Sequence, residues 1–227
     1  MNIQGFAVQR DYQGKEDIAV SYYCTMNKIP YKRVQNVKDI PDGLTPCGSV
    51  EWCSKILDQD IVPDYYPDFL KDHLHRKIWE ADKWPLGEKV FIKPSKKYKR
   101  FTGFITNGGY RGKKKGPYWC SEVVKFDNEW RYYISDGKVL TGEWYWGDEI
   151  NCPDAPSIEH IEFPKGFCGA VDFGISNGKL VLVESNHPFA CGWYGSQHEL
   201  YAEWLYRGWE YMLNNYIKRV EKSNLLI

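Results

Sequence analysis

The chain has 227 residues, 43% of them apolar and 16% aromatic, which is enough to bury a core as one medium domain or two small ones without staples. Thirty Lys and Arg balance thirty Asp and Glu, so no net field argues for nucleic acid or an anionic membrane as the main partner. Seven cysteines without a Cys-x-x-Cys pair argue against a zinc cage or disulfide framework, and the absence of a signal-peptide core or a membrane-length apolar window leads us to expect a reducing, cytoplasmic compartment.

"GFAVQR" reads as a first strand, and "EDIAVSYYCTMNK" as the helix after it, with Ile18, Tyr22 and Met26 on one side. After the Pro/Gly-rich "NVKDIPDGLTPCGS", Ser49 is placed to cap a helix "VEWCSKILDQ" carrying a stripe of Val50, Cys53, Ile56 and Leu57. Residues 1–85 are therefore expected to form an α/β first part. From Trp84 the texture changes to strands ("KVFIKP", "FTGFIT", "YWCSEVVKF", "EWRYYIS", "KVLTGEWYW", "FCGAVDFGI", "KLVLVESN") punctuated by "NGG", "SDGK" and "SNGK" turns. The end of the chain has Leu200, Trp204, Leu205, Trp209 and Met212 at helical spacing and predicts a long closing helix. Residues 86–227 thus form a sheet-rich second part.

The strand "KLVLVESN" is apolar except where Glu184 and Asn186 interrupt it. With side chains alternating at period two, Leu182, Glu184 and Asn186 should share a face, and a buried carboxylate needs a partner. The preceding strand carries Asp172. A two-residue Asn177-Gly178 loop would set Asp172 against Val183 and turn the carboxylates apart, whereas a three-residue loop Ser176-Asn177-Gly178 would pair Asp172 with Leu182 and gather all three polar groups. The three-residue loop is the register expected. Asp172, Glu184 and Asn186 together offer oxygen donors that suit Mg²⁺; lysine salt bridges at a sheet surface are the even alternative.

Lys93 ends an apolar strand on the face of Phe91, just before Lys96, Lys97, Lys99 and Arg100. That arrangement suits phosphate groups, although a snorkelling lysine beside a solvated charge run would look the same. A second basic segment, "NGGYRGKKKG", suits polyphosphate or a nucleic-acid backbone. Glu129 and Arg131 alternate along one strand and share a face with Tyr133; they read either as a structural ion pair or as ligands to ribose and phosphate. His187 reads as a loop histidine or a local base, and Glu143, Asp148 and Glu149 mark a candidate acceptor region.

In order, "VFIKP", "KRFTG", "SEVVKFDNEWRYYISDGK", "AVDFGISNGKLVLVESN" and "CGWYG" resemble an ATP-grasp ligase, and most closely a clade of small ATP-grasp proteins often found in phage genomes; "GSVEW" at 48–52 extends the resemblance towards the amino terminus. The resemblance implies an ATP-grasp fold of mixed α and β structure, with an N-terminal α/β segment at 1–85, nucleotide-lid strands at about 86–125, and a metal-binding core with a C-terminal helix at about 126–227. It implies that Lys93 and Lys99 meet nucleotide phosphates with Thr102 and Gly103, that Ser121, Glu122 and Val123 meet the adenine edge, and that Glu129 serves the ribose or the phosphate side. Arg131 is similar to the arginine that contacts phosphate or an acyl-phosphate, and Asp172, Glu184 and Asn186 match the metal ligands.

The activity implied is ATP-dependent ligation of a carboxylate to an amine or peptide acceptor through an acyl-phosphate, with Mg²⁺ and with release of ADP and phosphate. Two other readings stand beside it: a nucleic-acid-binding protein that uses its basic aromatic loops, disfavoured by the balanced charge, and an ATP-grasp protein that binds nucleotide without turnover.

Overall fold

The computed structural model describes residues 3–57, 61–97, 100–109, 114–189 and 191–224, with side chains in the last helix up to residue 215. The N-terminal part is a parallel sheet of β1 (Phe6–Gln9), β2 (Tyr31–Val34) and β3 (Thr45–Cys47) in the order β2-β1-β3. Helix α1 (Lys15–Asn27) makes the crossover from β1 to β2 that a parallel pair requires.

The helix is where the pattern placed it, but it is turned the other way. Ile18, Tyr22 and Met26 are exposed at 59%, 48% and 60%, while Ala19, Val20 and Cys24 pack in the core. The small side chains let the helix approach the sheet. Its two buried acids are satisfied locally: Asp17 takes Arg33 Nη2 at 2.5 Å and the Tyr31 hydroxyl, and Glu16 takes the Tyr12 hydroxyl at 3.0 Å. The outward Tyr22 stacks on His198 with 4.3 Å between ring centres. Ser49 caps as expected, its Oγ accepting from Trp52 N at 3.2 Å, but α2 (Val50–Ser54) stops there, leaving Ile56 and Leu57 in a half-buried turn.

A second, antiparallel sheet consists of β4 (Ile78–Ala81), β5 (Val90–Pro94), β6 (Phe104–Thr106) and β7 (Tyr118–Ser121) in the order β4-β7-β5-β6. It holds a small core of its own: Trp84, Val90, Ile92, Tyr118 and Cys120. Strand β4 precedes residue 85 yet pairs with β7, Ile78 opposite Ser121. The third sheet, also antiparallel, runs β11-β10-β8-β9, with β8 (Asn128–Ser135), β9 (Lys138–Trp146), β10 (Gly169–Ser176) and β11 (Lys179–Asn186).

Helix α3 (His198–Asn224) binds the first and third sheets into one core, burying Tyr201, Trp204, Leu205, Trp209 and Met212. Trp204 Nε1 donates to the carbonyls of Ile134 (3.1 Å) and Gly169 (3.0 Å), and Trp209 Nε1 reaches Pro46 O at 2.7 Å. The buried indoles therefore keep hydrogen-bond partners while adding large apolar surface to the core.

The β10–β11 hairpin corrects the register expected from sequence. Ser176 pairs with Lys179, so the loop is the two-residue Asn177-Gly178, with φ of 50° and 72°, the positive pair that a tight hairpin turn requires. The three-residue loop is not formed. The carboxylates meet because the ladder steps from Phe173↔Leu182 to Asp172↔Glu184, leaving Val183 as the extra residue of a β-bulge. Leu182 therefore does not share the face of Glu184: it lies opposite Phe173, and both are fully buried at 0% exposure.

Candidate active site

Four residues line up across the third sheet at one level, Glu143, Arg131, Asp172 and Glu184, each opposite the next. Arg131 grips Asp172 with both edges of the fork, Nε to Oδ1 at 2.8 Å and Nη2 to Oδ2 at 2.7 Å. The partner of Arg131 is thus Asp172 and not Glu129, whose carboxylate instead accepts from the Tyr145 hydroxyl. Tyr145 and Tyr194 stack at 5.0 Å and both lie beside the guanidinium, at 5.8 and 5.3 Å.

Glu184 has two partners. Its Oε2 accepts from Lys93 Nζ at 2.8 Å and its Oε1 from the Asn186 amide at 2.8 Å. Lys93 reaches across from β5 of the second sheet, buried, with its ammonium 3.6 Å from the ring centre of Tyr65 and 4.5 Å from that of Tyr66. Two sheets are thereby joined by one ion pair.

Burial works against every charge here; the pairing outweighs it at Glu184, Lys93 and Arg131, whereas the Asp172 carboxyl is raised because its burial exceeds the opposing effect of Arg131. Burial alone would raise the Glu184 carboxyl, but the Lys93 charge and the hydrogen bonds from Lys93 and Asn186 hold it down at about 2. Lys93 is raised above its ordinary range because Glu184 overcomes the opposing effect of burial. Arg131 is held far above its usual range by Asp172 in the same manner. Glu129, by contrast, is raised by burial and by the nearby Asp172 and Glu184, against the Tyr145 hydrogen bond.

Beside these pairs a cavity of about 600 Å³ lies between the second and third sheets. Phe91, Phe104 and Ile105 wall it on one side, Trp146 and Val183 on the other, and the connecting segment Ser121–Phe126 along its back. Ser121, Glu122, Val123 and Glu129, all singled out from sequence, line it. Gly174 is required beneath: a Cβ there would lie 2.5 Å from Phe126 Cδ1 and displace the ring from the cavity wall. Phe91 on the wall and Lys93 two residues on place the apolar cavity next to the charged pairs.

Apart from Glu143, which ends the row, the remaining predicted positions are dispersed. Thr102 and Gly103 precede β6, and Gly103 is pressed against Phe91, with 2.5 Å from its would-be Cβ to Phe91 Cζ. Lys99 lies outside the described residues, as do residues 110–113 of the basic loop. His187 Nε2 sits 2.8 Å from Val62 O in an exposed loop. Glu143 accepts from Thr141 Oγ1 at 2.8 Å, and Asp148 is exposed and ties a turn through Ile150 N and Asn151.

Sequence reasoning missed Arg76, which lines the cavity, and Tyr65, Tyr66 and Tyr145, which flank the buried cations. "HLHRKIWE" and "PDYYPD" carry no spacing that would single them out. Among the described residues no group of three or more His, Cys, Asp or Glu could hold a metal. A metal at Asp172 and Glu184 would draw its third protein ligand from the Asn186 carboxamide, and this all-oxygen donor set fits Mg²⁺.

Residues 73–204, more than half of the chain, match a family described as an ATP-grasp domain, family 2 of its clade. The chain belongs to the ATP-grasp family. No match is found among the curated proteins. Among solved structures, this ATP-grasp chain is similar to N5-carboxyaminoimidazole ribonucleotide synthetase from Thermotoga maritima, at 10% identity and a TM-score of 0.55 over 90% of this chain and 76% of that one. It is also similar to D-alanine–D-alanine ligase from Bacillus anthracis, at 14% identity and a TM-score of 0.49 over 96% of this chain and all of that one. The likeness to the synthetase concerns the fold: mixed α and β structure with antiparallel sheets and a C-terminal helix. No helix among the described residues is long and apolar enough to cross a membrane.

Proposed function

We propose that the protein is an ATP-dependent ligase that activates a carboxylate as an acyl-phosphate and passes it to an amine or peptide nucleophile, releasing ADP and phosphate. The observation that carries this reading is the apolar cavity of about 600 Å³ between two sheets, whose wall holds Phe91, two residues from Lys93, and Val183, next to Glu184, and so leads to the Lys93–Glu184 and Arg131–Asp172 pairs. An apolar cavity between two sheets suits a purine, and fixed cations near it suit the phosphates of the same molecule. Ser121, Glu122 and Val123 would present backbone to the base and Glu129 would meet the ribose, with Thr102 and Gly103 over the phosphates.

In this reading Lys93 and Arg131 hold positive charge where the transferring phosphoryl group sits, so the attacking carboxylate and the leaving ADP are kept in line without a protein nucleophile. Mg²⁺, when held by Asp172, Glu184 and Asn186, would neutralise phosphate charge. Charge balance makes the parts interdependent: the two cations are matched by two carboxylates in the ligand-free protein, so their charge becomes available to phosphate as the carboxylates gain another cation. The tyrosines around Arg131 shield it from water and raise the strength of each contact. These assignments agree with a cytoplasmic setting, where ATP and Mg²⁺ are both at hand.

Thermal unfolding with and without ATP, each with and without Mg²⁺, tests the reading. Ligand at ~100 times its dissociation constant adds about 2.7 kcal/mol to the folded state, so a Mg²⁺-dependent stabilisation by ATP is the expected outcome. No shift in any combination would sink the nucleotide site. Release of ADP on addition of carboxylate and amine mixtures then tests ligation itself.

A further inference from the structure

The bulge that turns Glu184 towards Asp172 lies on an edge strand. β11 is the outermost strand of its sheet, so its outward carbonyls have no strand partner, and the extra residue of a bulge leaves the ladder altogether. Arg76 meets both needs. Its Nη1 donates to Leu182 O at 2.5 Å and its Nη2 to Val183 O at 3.1 Å. Leu182 is the last residue in register before the step, and Val183 is the residue left out by it.

The chain around Arg76 is shaped to aim it. His75 adopts φ of 45°, a left-handed conformation that a non-glycine residue takes only at a cost. Arg76 Nη1 also closes on Leu74 O at 3.2 Å, and the guanidinium lies near the rings of Tyr66 and Phe126, at 5.8 and 6.0 Å. The next residue, Lys77, exchanges two bonds with Glu122 on the cavity wall, N to Oε2 at 2.9 Å and O from Glu122 N at 3.1 Å. One short stretch therefore clasps both the bulge and the wall of the cavity.

We propose that Arg76 is a positioning residue whose fork across the Leu182 and Val183 carbonyls holds the bulge and so keeps Glu184 facing Asp172 and Lys93. Its consequence for ligand binding rests on the nucleotide-site reading; its effect on the strand does not. Without the fork, the hairpin has no good register to fall back on. A bulge-free ladder from Asn177-Gly178 would set Glu184 opposite Val171, which is fully buried, and a carboxylate cannot go there unpaired. The end of β11 frays instead, and Glu184 loses its fixed place. A lysine ammonium lacks the planar fork and cannot reproduce it.

The test uses Arg76→Met and Arg76→Lys in the full chain. In the ligand-free proteins, amide hydrogen exchange across Val183–Asn186 should quicken at least tenfold in both variants, with β8 and β9 unchanged. Titration of ADP with and without Mn²⁺ should show that the gain in ADP affinity given by the metal falls about tenfold, a larger change than that in ADP affinity without metal. Unchanged exchange at β11, acceleration spread evenly over the sheet, or a wild-type metal effect in both variants would each overturn the proposal. If the wild type binds no ADP at all, the nucleotide reading fails, and the exchange result alone decides whether Arg76 holds the strand.

Discussion

Replacing Glu184 by Gln tests the centre of the site without any ligand. The change keeps the shape and the contact with Asn186 but removes the anion facing Lys93, whose side chain is only 5% exposed. The Glu184 carboxyl is held near 2 against an ordinary 4.5, and at 1.36 kcal/mol per unit this corresponds to about 3 kcal/mol of stabilisation at neutral pH. In a chain of this size that is a fall in Tm of roughly 6–12 °C. Because the folded value is depressed, the stabilisation is fully present above pH 4.5 and is lost as pH falls towards 2. Wild type and variant should therefore converge across that window. The assay is thermal unfolding from pH 3 to 8, repeated on Lys93→Met and on the double variant. If the loss comes from a stranded buried ammonium, the double variant recovers much of it. An unchanged Tm in Glu184→Gln, or a double variant that simply adds the two losses, would refute the reasoning.

Arg131→Met should cost about 3–5 kcal/mol, the range for breaking a buried pair, since it leaves the Asp172 carboxylate buried without its two-point partner; chemical denaturation measures this. Glu129→Gln should stabilise. The Glu129 pKa is raised in the folded protein, so its contribution is favourable below the ordinary carboxylate range and is lost as pH rises. The variant should gain in Tm at pH 7–8 and match wild type near pH 4. Val123→Trp, on the wall of the 600 Å³ cavity, should fill part of the slot and weaken ADP binding at least tenfold by calorimetry with little change in Tm. Gly178→Val should cost about 1 kcal/mol or more, because Gly178 holds φ of 72° in the hairpin turn.

Local sequence carried a good deal of this architecture. The strands of the third sheet, the place of the "SNGK" turn though not its two-residue length, the Ser49 cap and the indole-rich stripe of α3 are short-range patterns, readable because one residue's preference or one period settles each of them. The polar break at Glu184 and Asn186 pointed to the row of charges for the same reason: a carboxylate inside an apolar strand demands a partner wherever the strand goes. The same reading could not say which face of α1 turns inward, because Ile18, Tyr22 and Met26 recur at helical spacing just as Val20 and Cys24 do; the choice falls to close packing against β1 and α3. Nor could it find the bulge at Val183, pair Arg131 with Asp172 across 41 residues, bring Lys93 to Glu184 across 91, or single out Arg76 from its neighbours. Those outcomes are set by burial and hydrogen bonding between segments far apart in the chain. Such energies exist only once the sheets are assembled, so only the tertiary structure could decide them.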